Sequence, residues 1–404
     1  MQRVNRASIA FTAKWKSPHG THSDRCFINK VDFWRDIFPG KLGENIAPLK
    51  VGEKYCEHFK PGEFVAPFSQ DGIKKFNDDQ FERSGDTSGT IPVRGRFYPQ
   101  GYGWRALQCY PQNPAPMRIL KHEDGTIIAD TNHPLSRYSV SVEAQICDKW
   151  CSSEERGGSC NDIAEIIASR GPGMQVPFQG VEPDFYSAYP FRRVNDRDDR
   201  LFYKTPRMVN HIDDVAIEQI TSIYSALLSP NTKILDLMSS WVSHIPPDLK
   251  NYEAVGLGLN QEELSANRQL SETILHDLNQ NPSLPLPNNE FDAVICTVSI
   301  EYLTKPLEVL AEIARVTKPG GLFVTTFSDR WFPGKEIELW SEMHEFERLG
   351  LIMDYFLRSK AFEDIHTESI LGLMRPPTDK YIGSRPTSDP VFAVWGYVRN
   401  TSHQ

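Results

Sequence analysis

No apolar run in this chain approaches the roughly 18 residues that a membrane-spanning helix needs. The opening stretch, Met1-Gln-Arg-Val-Asn-Arg-Ala-Ser-Ile-Ala10, has no long apolar core and does not read as a secretory signal. Basic excess is missing as well. The 44 Lys and Arg face 53 Asp and Glu, a formal net charge of −9, which argues against a broad nucleic-acid footprint. Cysteine is sparse, and its count of seven is odd. The seven are scattered through both halves, which favours reduced thiols in a cytoplasmic protein over a disulfide framework. Cys147, Cys151 and Cys160 cluster near Gly157-Gly158. They lack a CxxC pair and an adjacent fourth ligand, so no metal is expected. Internal repeats and low-complexity tracts are absent too. What remains is a soluble globular composition, 39% hydrophobic with mean hydropathy −0.44, over 404 residues, long enough for two or three domains.

The strongest pattern lies between residues 289 and 327. Phe291 to Cys296 is a short apolar run, as in a strand covered on both faces. Pro306 suits the first turn of a helix, and Leu307, Leu310, Ile313 and Ala314 recur at helical spacing. Lys318-Pro-Gly-Gly321 ends that helix, and Leu322 to Phe327 reads as a second buried strand. The Phe-Asp-x-Val-x-Cys strand and the Arg-Val-x-Lys-Pro-Gly-Gly turn resemble the late motifs of the class I methyltransferases, which use S-adenosylmethionine. The resemblance implies an α/β fold with a Rossmann-like seven-stranded sheet. It also implies a helix from Val215 to Leu228, a further helix over Glu336 to Leu349, and a late antiparallel strand from Val391 to Val398.

In that family strand 1, here Lys233-Ile-Leu-Asp-Leu237, leads into a glycine-rich turn that lets backbone approach the cofactor. This chain departs from the pattern. Its turn is Asp236-Leu-Met-Ser-Ser-Trp-Val242, with Met238, Ser240 and Val242 at the glycine positions. Strand 2, Ala254 to Leu259, has Gly258 where the family carries an acid for the ribose hydroxyls, and Asn260 follows two residues on. Asn260 can donate and accept toward a diol. Asp277, in His276-Asp-Leu-Asn279, sits where the family has an acid near the adenine amino group. By resemblance the cofactor-binding set is Asp236, Met238, Ser239, Ser240, Gly258, Asn260, Asp277, Leu278 and Val298. His244 is a candidate general base, since a histidine titrates near neutrality, against the alternative of a cap on the turn before Ile245-Pro-Pro247. Tyr302 follows strand 4, where acceptors sit in this fold, and is the second catalytic candidate. Trp331 and Phe332 are candidate walls of an acceptor pocket, against the alternative of plain core packing.

The first 150 residues have another texture: short strand-like runs between Gly, Pro and Asn turns. Residues 41 to 55 read as a short helix, a Gly turn and a strand. Asp124-Gly125 is a hairpin signal, and Tyr138 to Ile146 alternates as a half-buried strand. The Asp130-Thr-Asn-His-Pro-Leu135 segment, with the helix-then-Leu-x-x-Gly-Glu piece before it, resembles SlyD-type FKBP prolyl isomerases. Ser136-Arg137 replaces their Ala-Gly. The resemblance makes His133 a structural turn residue and implies an FKBP-like β-rich domain over 1–150 with little isomerase activity. Residues 151–205 then form a connector or lid, with a helical stretch at Ile163 to Ala168, and 206–404 form the methyltransferase-like domain. The connector's alternating charges from Arg192 to Arg200 read as a solvated loop or as a lid over the substrate entrance.

The resulting expectation is methyl transfer from S-adenosylmethionine to a small-molecule acceptor ahead of a protein one, without nucleic acid or membrane partners. The rival is a non-catalytic binding or chaperone-like protein that keeps both folds as scaffolds.

Overall fold

The computed structural model describes residues 5–82, 91–151, 159–177, 180–186 and 191–400. Gly157-Gly158, named above beside the three cysteines, lie outside them. The chain divides into two compact units. The first holds Met1–Pro18, Ser23–Ala188 and Met343–Leu351; the second holds His19–His22, Tyr189–Glu342 and Ile352–Gln404.

Up to residue 177 the elements are β1 (Arg6–Ser17), β2 (Gly20–Asp32), α1 (Leu42–Ile46), β3 (Lys54–Phe59), β4 (Ile73–Asn77), β5 (Phe97–Pro99), α2 (Trp104–Leu107), β6 (Pro116–Glu123), β7 (Thr126–Asp130), β8 (Val140–Trp150) and α3 (Ile163–Ala168). Strands β2, β1, β8 and β3 lie side by side in that order, and β4-β7-β6-β5 form a separate sheet. The Asp124-Gly125 turn joins β6 to β7, with φ of 49° and 69°. Both lie in the left-handed region that a two-residue hairpin requires. His133 caps a short turn, as its place before Pro134 suggests. Its Nδ1 accepts from Leu135 N at 3.0 Å and its Nε2 donates to Ala168 O at 3.1 Å. Burial lowers its pKa, only partly offset by that second bond.

The second unit is built on α4 (Asp199–Phe202), α5 (Asp214–Leu227), β9 (Lys233–Leu237), β10 (Glu253–Gly258), α6 (Gln261–Ala266), β11 (Glu272–Leu275), β12 (Phe291–Thr297), α7 (Pro306–Val316), β13 (Thr317–Phe327), α8 (Glu338–Glu342), the part of α9 (Glu345–Ser359) from Ile352 on, β14 (Phe362–Leu371) and β15 (Val391–Val398). Its strands run β11-β10-β9-β12-β13-β15-β14. β9 pairs in parallel with β10 and β12, and β12 with β13, while β15 is antiparallel to both β13 and β14. The carboxyl ends of β9, β10, β11 and β12 therefore point the same way, which in open α/β sheets is the ligand edge.

Three expectations shift in detail. Helix α7 buries Pro306, Val309, Leu310, Ile313 and Val316, while Leu307 and Ala314, at the edges of that stripe, are only half-buried. β13 already begins at Thr317, so Lys318-Pro-Gly-Gly321 belongs to the strand entrance rather than to a separate turn. The helix expected over 336–349 is two, interrupted at Met343-His344, and the second runs on to Ser359. The two late motifs meet physically. Asp292 accepts from Lys233 N at 2.9 Å and from Lys318 Nζ at 2.6 Å, which ties the starts of β9, β12 and β13 together. No helix among the described residues is long and apolar enough to cross a membrane.

Candidate functional site

A cavity of about 360 Å³ opens at the carboxyl ends of β9, β10 and β12. All of the sequence candidates line it: Asp236, Met238, Ser239, Ser240, His244, Gly258, Asn260, Asp277, Leu278, Val298 and Tyr302. Val242, Trp331 and Phe332 line it too. Met238 and Val242 thus narrow the crevice without closing it.

The turn after β9 keeps the backbone of a glycine turn under a different side chain. Met238 has φ 57° and Val298 has φ 48°, both in the left-handed region that a β-branched residue rarely enters. Met238 is held there because the loop folds back on β10, with Ser239 N donating to Leu257 O at 2.7 Å. The Ser239 hydroxyl donates to Asp236, which is 2% exposed. Burial pushes the Asp236 carboxyl up to about 7, against hydrogen bonds from Ser239 and Ser243 that favour its charged form. Ser240 Oγ donates to Glu263 Oε2 at 2.6 Å.

Gly258 lacks the acid of the resemblance for a steric reason. A Cβ at this position would run into the Ser239 carbonyl oxygen and lie 3.2 Å from Leu264 Cδ2. Asn260 does not stand in for the missing acid. Its Oδ1 caps α6, accepting from Glu262 N at 2.9 Å and Glu263 N at 3.0 Å, and its Nδ2 donates to Tyr203 O at 2.7 Å and Lys204 O at 3.3 Å. That leaves no spare donor for a sugar diol. Asp277 keeps capacity. Its Oδ1 accepts from Asn279 N and Gln280 N at 3.0 and 3.2 Å, while Oδ2 has no hydrogen bond among the described residues.

His244 makes no hydrogen bond among the described residues, and burial alone pulls its pKa down to about 4, so its imidazole is neutral at neutral pH. Tyr302 is 6% exposed and its hydroxyl accepts from Phe332 N at 2.9 Å. Burial, with the nearby Glu301 charge, raises its pKa well above the ordinary value. The phenol therefore stays protonated and does not serve as a base.

Sequence reasoning missed the cavity's other wall. The segment from Asp199 to Ile212 supplies Asp199, Tyr203, Arg207 and His211. Asp199 receives Arg193 Nη1 and Lys335 Nζ, both at 2.8 Å, and Asn279 Nδ2 at 3.0 Å. Burial pushes its carboxyl pKa upward, but these bonds win and lower it. The charges of the 192–200 stretch are therefore not simply solvated: Arg193 and Asp199 are buried, as is the partner Lys335 from beyond the stretch. Their alternating signs were the available signal. Arg207, by contrast, sits in a stretch without periodicity.

Residues 241–325 match a family model described as a methyltransferase domain. The ubiquinone/menaquinone biosynthesis C-methyltransferase UbiE of Burkholderia vietnamiensis is 35% identical over 97 residues, 24% of this chain and 38% of that protein. The demethylmenaquinone methyltransferase of Renibacterium salmoninarum is 30% identical over 105 residues, 26% of this chain and 44% of that protein. The chain spans less than half the length of these curated relatives. A solved S-adenosylmethionine-dependent methyltransferase from Aquifex aeolicus covers 50% of this chain and 99% of its own, at 14% identity and a TM-score of 0.31. Residues 241–325, within the second unit, are thus similar to a methyltransferase domain.

Proposed function

We propose that the second unit transfers a methyl group from S-adenosylmethionine to a small-molecule acceptor held in the cavity described above. The observation that carries this reading is the convergence of the candidate residues on one cavity at the carboxyl edge of parallel strands. The residues present fit the cofactor at its adenine end, where Asp277 Oδ2 can accept from an amino group, and Met238 leaves the crevice open. The bound cofactor supplies an already activated methyl group, so the protein's work is alignment. Tyr302 and Phe332 shape the acceptor side. His244, neutral and without a hydrogen-bond partner among the described residues, is the group that takes a proton if the acceptor atom carries one. A small-molecule acceptor agrees with the quinone-biosynthesis names of the curated relatives.

The finer architecture is part of the same proposal. The order β11-β10-β9-β12-β13-β15-β14 supports a seven-stranded methyltransferase sheet within 206–404. The hairpin at Asp124-Gly125 and the His133 cap support an FKBP-like module over 1–150, with 151–205 as connector, in a cytoplasmic protein. One observation favours the rival binding-protein reading, namely that no acid can occupy position 258. Calorimetry with S-adenosylmethionine decides: micromolar to sub-millimolar binding that weakens in Asp277→Ala supports methyl transfer, and no binding at millimolar cofactor overturns it.

A further inference from the structure

We propose that the carboxyl edge of the second unit's sheet is a lipid-docking surface, which seats the mouth of the cavity on an anionic phospholipid bilayer. Docking of this kind needs neither cofactor nor methyl transfer.

Among the described residues, every exposed large apolar side chain of the second unit lies at this one edge. Val194 (78% exposed), Leu201 (70% exposed), Met208 and Val209 belong to the segment that leads into the cavity roof. Leu275 is the last residue of β11, and Met374 and Tyr381 lie in the loop between β14 and β15. β13 and β14 are both antiparallel to β15, so that loop emerges at the same edge as the carboxyl end of β13. Contacts join the pieces. Asn195 N donates to Gly334 O at 2.8 Å, just past β13, and Trp241 Nε1 donates to Val209 O at 3.3 Å. Arg330, on the cavity wall, has its Cζ 5.2 Å from the Tyr381 ring centroid. The loops are pinned from within. Buried Arg375 holds the 372–390 loop through Asp213, Asp379 and Asp389, at 3.2, 3.4 and 2.6 Å. Lys335 Nζ donates to the Arg197 carbonyl at 2.7 Å. Buried polar groups thus fix apolar side chains outward, into water, around a cavity mouth. Such a grouping marks an interaction surface.

Charge decides what covers it. Arg197, Lys204 and Lys380 are exposed on the same loops and have no ion pair among the described residues. The acids there are taken: Asp198 by Arg200 at 2.7 Å, Asp199 by Arg193 and Lys335, Asp329 by Arg385 at 3.2 Å and Asp379 by Arg375. Unpaired cations are therefore interleaved with outward apolar side chains. Anionic headgroups complement that mixture, because the cations meet their charge while the apolar side chains enter the acyl boundary. A second copy of the chain would instead bring like charges together. No described helix is long and apolar enough to span a bilayer, and docking at its surface needs none.

Flotation of the full chain with vesicles, without cofactor, tests this. One set is phosphatidylcholine alone, and the other adds about 30% phosphatidylserine. The wild type is expected to float with the anionic set, and to lose that binding as salt rises. Val194→Ser with Leu201→Ser, and separately Lys204→Glu with Lys380→Glu, are expected to weaken it roughly tenfold or more at an unchanged thermal midpoint. Trp34→Ser, which removes an exposed side chain of the first unit, is expected to leave it unchanged. No flotation with the anionic vesicles overturns the proposal, as does flotation that both edge variants leave intact. A dimer in light scattering that the edge variants dissolve also overturns it, and makes the edge a contact between copies. None of these outcomes touches the methyl-transfer reading, which calorimetry decides by itself.

Discussion

The Ser239 carbonyl oxygen occupies the space into which a side chain at Gly258 would grow. The loop after β9 cannot easily move away, because Ser239 N is bonded to Leu257 O and the Ser239 hydroxyl to Asp236. Introducing the acid of the resemblance with Gly258→Asp is therefore expected to destabilise the chain by about 1–3 kcal/mol, as overpacking does. Urea denaturation measures it. An unchanged midpoint with improved cofactor affinity would show that the loop yields.

Asp277 serves two ends with one carboxylate. Its Oδ1 holds the turn to Asn279 and Gln280, and its Oδ2 has no hydrogen bond among the described residues, which in the proposed reading leaves it to the cofactor. Asp277→Asn preserves a turn acceptor but loses the charge, and is expected to weaken cofactor binding roughly tenfold, with Asp277→Ala weaker still. Isothermal titration of both variants checks the order; equal affinities for wild type and Asp277→Asn would remove Asp277 from the adenine contact.

Lys335 is wholly buried and its ammonium rests on Asp199 and the Arg197 carbonyl. Asp199→Ala leaves Lys335 and Arg193 buried without their counterion. The expected cost is about 3–5 kcal/mol, the usual range for breaking a buried pair from one side. Adding Lys335→Met should return part of that loss. Denaturation midpoints of the single and double variants give the coupling, and strict additivity would mean the pair does not interact.

Two cavity groups give opposite pH slopes. His244, lowered from 6.5 to about 4, contributes its full stability above about 6.5, and loses it as pH falls toward 4, because the unfolded chain takes up the proton first. Asp236, raised from 3.8 to about 7, contributes fully below about 3.8 and loses its share as pH rises toward 7. Asp236→Asn should therefore gain on the wild type as pH rises from about 4 to 7, and His244→Gln should gain as pH falls from about 6.5 to 4. Unfolding at several pH values reads both slopes. Parallel curves for variant and wild type would contradict the assigned shifts.

Legibility in the sequence followed periodicity and turn chemistry. β9, β12, β15 and α3 appear within a residue or so of where apolar runs put them, because buried strands and short apolar helices write themselves into composition. The Asp124-Gly125 turn was readable because few residue pairs accept two left-handed conformations in sequence. The floor of the cavity was readable through the motifs that carry the methyltransferase resemblance. Its roof was not. Residues 203–212 have no regular element, and hold their course by backbone bonds to side chains far away in sequence, Asn260 and Glu263. The break at Met343-His344 was likewise hidden, since neither residue is a helix breaker by type. Asn260 shows the remaining error: its chemistry suited a diol, but a helix N-terminus and two carbonyls claimed it first.

At Met238 the backbone has kept a glycine's conformation while a flexible thioether stands where a glycine leaves space. The shape of the loop and the bore of the crevice are therefore separable traits here. A single unbranched substitution at that position can widen or narrow the entrance without asking the main chain to rearrange, so ligand size can be adjusted there one side chain at a time.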